Sequence, residues 1–163
     1  MYNFTPTPRP QVESRLRRIV DLTVPNLARM TQDERFETRS NRVIPVLVCP
    51  WEADKPVTEE HLFALTKDLS SDSVGVVLPQ PIRTSSVVVG FWLGADVMDD
   101  PWYFLGRPRS LRRLGGGFWT AGVQFTEVLG AAARDALAPL APLAARLSAP
   151  PLVELVGNEI VGQ

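Results

Sequence analysis

Two arginines stand four residues apart in a polar stretch, Arg35 and Arg39 of RFETR, with Arg42 close behind. A guanidinium is a planar fork of N–H donors. It grips a phosphate at two points or the O6/N7 edge of guanine, and its plane stacks on a base. About thirty residues later Asp68 and Ser70 stand two apart in TKDLSSDSVGVVL. On extended backbone that spacing points both side chains to one side. The carboxylate accepts hydrogen bonds from the guanine N1–H and N2–H edge, and the hydroxyl donates to phosphate or base. Such a set suits an anionic, guanine-containing ligand. Each half also has a plainer reading. Asp33, Glu34 and Glu37 beside the arginines make a solvated charged linker, and Asp and Ser start turns by bonding their own backbone.

The remaining chemistry-bearing residues point away from catalysis. His61 is the only histidine, so a histidine metal cluster is excluded and any Ser-His-Asp or Cys-His arrangement must use it. No nucleophile motif lies near it. Cys49 is the only cysteine, which excludes an internal disulfide and fits a reducing cytoplasm. It reads as a small packed side chain. Asp96, Asp99 and Asp100 lack the ligand spacing of a calcium loop. Gly115 to Gly117 lead into a strand rather than a helix, so they lack the context of a phosphate-binding loop and read as a flexible hairpin. The chain expects no metal and no cofactor. Seventeen basic and 18 acidic residues leave a net charge of -1. That argues against a general DNA, RNA or membrane binder, while leaving room for a local basic patch. No apolar run reaches the ~18 residues that span a bilayer, and the first residues lack the order of a secretory signal.

What must position these residues is a β-rich domain. The 163 residues suit one domain with end extensions. Val12, Leu16, Ile19, Val20, Leu22 and Leu27 recur at helical spacing, which predicts a helix over Val12–Met30 that Pro25 ends or kinks. Thr31 to Arg42 is a polar linker. Short apolar runs then follow at Val43–Val48, Leu62–Leu65, Val74–Leu78, Ser86–Leu93, Trp102–Arg107 and Phe118–Phe125. A charged insert, Trp51–His61, separates the first two, and a basic connection, RPRSLRRLGGG, separates the last two. Six strands with turn chemistry between them suggest a small antiparallel barrel or sandwich. Glu127 to Leu147, rich in Ala and Leu, reads as helix broken at Pro139 and Pro142.

Taken together, these residues resemble the PilZ domain family, a six-stranded antiparallel barrel that binds the bacterial second messenger cyclic di-GMP. RFETR matches the family's RxxxR, and DLSSDS is similar to its (D/N)xSxxG, with GVQF (Gly122 to Phe125) like its last strand. The resemblance covers Arg35 to Val128. It implies a mainly β fold: an N-terminal tail and helix over residues 1–34, a barrel over 35–128, and a C-terminal helix and tail over 129–163. It implies that Arg35 and Arg39 clasp the ligand and that Asp68, Ser70 and Ser73 face guanine, with Arg42 and Gly75 as additional contacts. The motif's last glycine is Ser73 here, and Gly75 follows two residues later. A glycine there permits a positive backbone angle that serine adopts only at some cost. Two functions are open: a non-catalytic, cytoplasmic receptor for cyclic di-GMP, or a degenerate barrel that works as a protein adaptor. In either, the flanking helices can meet a protein partner or a second copy.

Overall fold

The computed structural model describes residues 9–23 and 40–148. Six antiparallel strands close on themselves: β1 (Pro45–Glu52), β3 (Leu62–Leu69), β4 (Ser73–Leu78), β7 (Phe118–Leu129), β6 (Trp102–Gly115) and β5 (Val87–Phe91), which returns to β1. A two-residue strand, β2 (Lys55–Pro56), is appended to β1 through a turn at Ala53 and Asp54. Both turn residues have positive φ, 51° and 60°, which suits the twist of a two-residue hairpin. The barrel expectation holds.

The interior is built by period-two alternation. Val74, Val76 and Leu78 face inward from β4; Val87, Val89 and Phe91 from β5; Ala121, Val123 and Phe125 from β7. Phe104 stacks on Phe125 with ring centroids 4.8 Å apart. One end is closed by helix α1 (Arg9–Leu22), whose Val12, Leu16 and Ile19 are all buried in the same core. Their spacing puts three side chains on one stripe. Pro10 lies in the first turn, where its missing N–H costs nothing. Among the described residues the helix ends at Leu22; the rest of the expected helix, residues 24–30, lies outside them.

A second core covers the outside of β1 and β5. Leu47, Cys49, Trp51, Val88 and Tyr103 pack there against Ala136, Leu137, Leu140 and Ala144. Both faces of these two strands are therefore buried, which explains the continuous apolar runs VIPVLV and SVVVGFWL. The C-terminal region up to Ser148 lies on its own barrel, and the expected tail over residues 149–163 lies outside the described residues. It is not one helix: β7 runs through Glu127 to Leu129, and short pieces follow, α2 (Arg134–Leu137) and α3 (Ala141–Ala144), joined by 3-10 turns. Pro139 and Pro142 sit near the starts of such pieces, where a helix tolerates proline.

Two boundaries differ in ways that matter for function. β3 continues through Thr66, Lys67 and Asp68 to Leu69, so Asp68 is a strand residue rather than part of a turn. Thr66 looks polar in sequence but is 1% exposed, its hydroxyl fully used. The basic connection is also strand. β6 runs to Gly115 and meets Phe118 across a tight turn at Gly116 and Gly117, with φ of 63° and 85°.

Candidate functional site

The segment that follows RFETR is fastened to β3. Ser40 N–H donates to the Leu69 carbonyl at 2.7 Å, and Leu69 N–H donates to the Ser40 carbonyl at 2.9 Å. Leu69 is the residue between Asp68 and Ser70, and Ser40 is the residue after Arg39. Two residues further on, the Thr66 hydroxyl donates to the Arg42 carbonyl at 2.6 Å and accepts from the Ile44 N–H at 2.9 Å. Thr66 was not nominated by the sequence, because a single threonine in an apolar strand carries no signal of its own. Arg35 and Arg39 lie outside the described residues.

Asp68 and Ser70 are both half-buried at the end of β3. The pairing of β3 with β4 slips between Thr66 and Asp68, and Asp68 faces Gly75. A slip of this kind re-aims a side chain. A methyl group on Gly75 would lie 2.7 Å from Asp68 Oδ1 and 3.2 Å from the Lys67 stem. Gly75 is therefore the seat on which the Asp68 carboxylate rests. Across the sheet Gly75 faces Gly122 on β7, which faces Ser110 on β6. Gly122 N–H donates to Ser110 Oγ at 3.1 Å. The result is a low floor of two glycines between polar side chains.

Ser70 and Ser73 bracket the turn into β4. Ser70 N–H donates to the Ser73 carbonyl at 2.9 Å, and the two hydroxyls are hydrogen-bonded to each other. Among the described residues only Ala53 and Asp54 are non-glycine residues with positive φ. Ser73 thus begins a strand on ordinary backbone, and the expected conformational penalty of serine at this position does not arise. The turn is held to β7 by a bond from Phe125 N–H to the Asp72 carbonyl at 2.8 Å. Ser73 pairs with Gln124, whose Oε1 accepts from Arg109 Nε at 3.0 Å. Gln124 belongs to the GVQF segment, and Arg109 to the basic run; their meeting follows from β-register that the sequence does not display.

Arg42 has a structural engagement. Its Nε donates to the Val20 carbonyl at 3.3 Å and its Nη1 to the Asn41 carbonyl at 3.1 Å. Burial lowers its pKa, and nearby Asp21 works in the opposite direction. A cation on the last carbonyls of a helix satisfies acceptors that the helix leaves open. Arg42 therefore ties α1 to the chain that follows RFETR.

Elsewhere the residues read as plain packing do pack. Cys49 Sγ lies 3.4 Å from the Val57 carbonyl, and burial pushes its thiol up to about 12. His61 is half-buried, with Nδ1 2.6 Å from the Thr58 carbonyl and its ring edge-on to Phe63. Among the described residues no group of three His, Cys, Asp or Glu side chains is placed to hold a metal ion, and no helix is long and apolar enough to cross a membrane. A cleft of about 550 Å³ opens at the barrel end away from α1, between Glu59–His61 and Gln80–Thr84. It contains none of Asp68, Ser70, Ser73 or Gly75.

The fold is thus a closed six-stranded antiparallel barrel plugged at one end by a helix. No family model matches the sequence, and no curated protein matches it. Among solved structures, the Bacillus subtilis inhibitor of motility (MotI/DgrA) is similar over 64% of this chain and 48% of its own, with 15% identity and a TM-score of 0.43. The match spans about half the length of that structure. At that likeness the functional reading rests on this chain's own residues.

Proposed function

We propose that the chain is a PilZ-like, non-catalytic receptor for cyclic di-GMP. The observation that carries this reading is the pairing of Ser40 with Leu69. It brings Ser40, the residue after RFETR, to the point in β3 flanked by Asp68 and Ser70, which supports the two halves of the motif acting together. Arg35 and Arg39 clasp phosphate and stack on guanine. Asp68, seated on Gly75, reads the guanine N–H edge with Ser70 and Ser73 beside it. Arg42 is the link: its hold on the Val20 carbonyl carries a change at the arginine segment to α1. Closing the segment over the ligand then repositions the helix, an order-linked switch.

Titration calorimetry of wild type, Arg39→Ala and Asp68→Ala with cyclic di-GMP tests this. Wild type should bind, and each variant should lose about 1.5–3 kcal/mol, the worth of one charge-assisted hydrogen bond. Absence of heat from wild type at about 100 μM nucleotide, which places any Kd above that range, would sink the receptor reading. One observation favours the adaptor alternative: the Ser70 and Ser73 hydroxyls already satisfy one another. An oligomer whose size ignores nucleotide in light scattering would support that alternative.

A further inference from the structure

The distal half of the β6–β7 hairpin carries charge and apolar surface that the nucleotide reading does not use. From Arg107 to Thr126 the chain holds four arginines (Arg107, Arg109, Arg112, Arg113) and no acidic residue. In a protein of net charge -1 this concentrates +4 on the stretch from Arg107 to Thr126. The same stretch holds three of the six large apolar side chains exposed in the described chain: Leu111 at 40%, Leu114 at 57% and Phe118 at 48%. Exposed apolar side chains gathered in one place mark an interaction surface. They flank the tight glycine turn, so the tip of the hairpin is apolar and its stem basic.

The partner must therefore offer anionic groups around an apolar interior. We infer that this hairpin docks on an anionic lipid bilayer: Leu111, Leu114 and Phe118 enter the headgroup–acyl boundary, and the arginines meet lipid phosphates. Apolar insertion combined with attraction to anionic headgroups is how interfacial elements bind. A nucleic acid would satisfy the arginines but leave the two leucines exposed. Strand addition by an acidic peptide would use the free edge of β6, since the pairing with β5 ends at Gly106. That edge is interrupted by Pro108 and by register slips between Pro108 and Ser110 and between Arg113 and Gly115. Proline and bulges on an edge oppose strand addition. The inference is independent of cyclic di-GMP binding.

Co-sedimentation with vesicles of phosphatidylcholine alone, or with phosphatidylglycerol added, tests it. The full chain should sediment with the anionic vesicles and be released by salt. Arg107→Glu/Arg112→Glu and, separately, Leu114→Ser/Phe118→Ser should each weaken binding at least about tenfold. All four positions are exposed, and circular dichroism checks that the variants fold; Leu114→Ser alone serves where a pair does not. No sedimentation with anionic vesicles overturns the inference. So does a Leu/Phe variant that binds as wild type, which would leave only surface adhesion. A short oligonucleotide bound in preference to vesicles would assign the hairpin to nucleic acid instead and also overturn it.

Discussion

The two ends of the barrel use arginine in opposite ways. At the end closed by α1, Arg42 is half-buried and committed to two backbone carbonyls. Around it, Ser40 is paired with Leu69 and the Thr66 hydroxyl is bonded on both sides. At the hairpin end the arginines are exposed and no acid lies between Arg107 and Thr126. Arg109 finds Gln124, and Arg113 lies 5.3 Å from the centroid of the Trp119 ring. The residue type is the same; the neighbours decide whether its charge holds the fold or faces outward. One end is therefore framework; the other is exposed basic surface.

The largest expected contrast is in packing. Leu16→Ala removes a side chain 1% exposed where α1 plugs the barrel, and should destabilise the protein by about 2–5 kcal/mol. Leu114→Ala, at the exposed hairpin end, should stay within about 0.5 kcal/mol. Urea unfolding measures both. Equal effects would mean that α1 does not close the barrel in solution, and the division into two ends would fail.

A smaller contrast concerns hydroxyls. Thr66→Val strands the Arg42 carbonyl and the Ile44 N–H in a buried place, which should cost about 1–3 kcal/mol. Ser110→Ala removes an acceptor from Gly122 N–H at an exposed site. Water replaces it there, so the change should be within about 0.5 kcal/mol. Thermal melts of the pair sharpen the comparison. A neutral Thr66→Val would show that the chain after RFETR is not pinned through this hydroxyl.

Much of this was legible in the sequence where side chains announce their own surroundings. Alternation in SVGVVL and GVQF marks strands with one face inward, and Val12, Leu16 and Ile19 mark a helical stripe. The closed barrel and the presence of an N-terminal helix follow from those patterns and from the resemblance; that the helix plugs the barrel does not. What could not be read depends on register and on partners far along the chain. Asp68 looked like turn chemistry because Thr66, Lys67 and Asp68 are polar, yet Thr66 is buried through bonds to residues more than twenty positions earlier. The basic run looked like a loop because its arginines hid a strand that pairs on one side only beyond Gly106. The role of Gly75 as the seat of Asp68 needed the β3–β4 slip, and the meeting of Arg109 with Gln124 needed the β6–β7 pairing. Ser73 stands where the family motif has glycine, and its strand backbone removes the demand for glycine's freedom.

The smallest expected effect separates the two ends by pH. Glu127 lies near the α1 end of β7 and is 9% exposed. Burial raises its pKa first, and the charge of Asp54 raises it further. The folded state therefore holds a proton that the unfolded chain has already released. Between the ordinary Glu range and the raised folded value, stability must fall as pH rises, and above that window the loss is complete. Glu127→Gln should remove this slope, melting at a higher temperature than wild type at neutral pH and close to it in acid, where wild-type Glu127 is protonated in both states. The hairpin end has no acid between Arg107 and Thr126 to contribute such a slope. Melting curves across the acid-to-neutral range give the answer. A Glu127→Gln protein that keeps the wild-type slope would place its origin elsewhere and remove this buried carboxyl from the account of the α1 end.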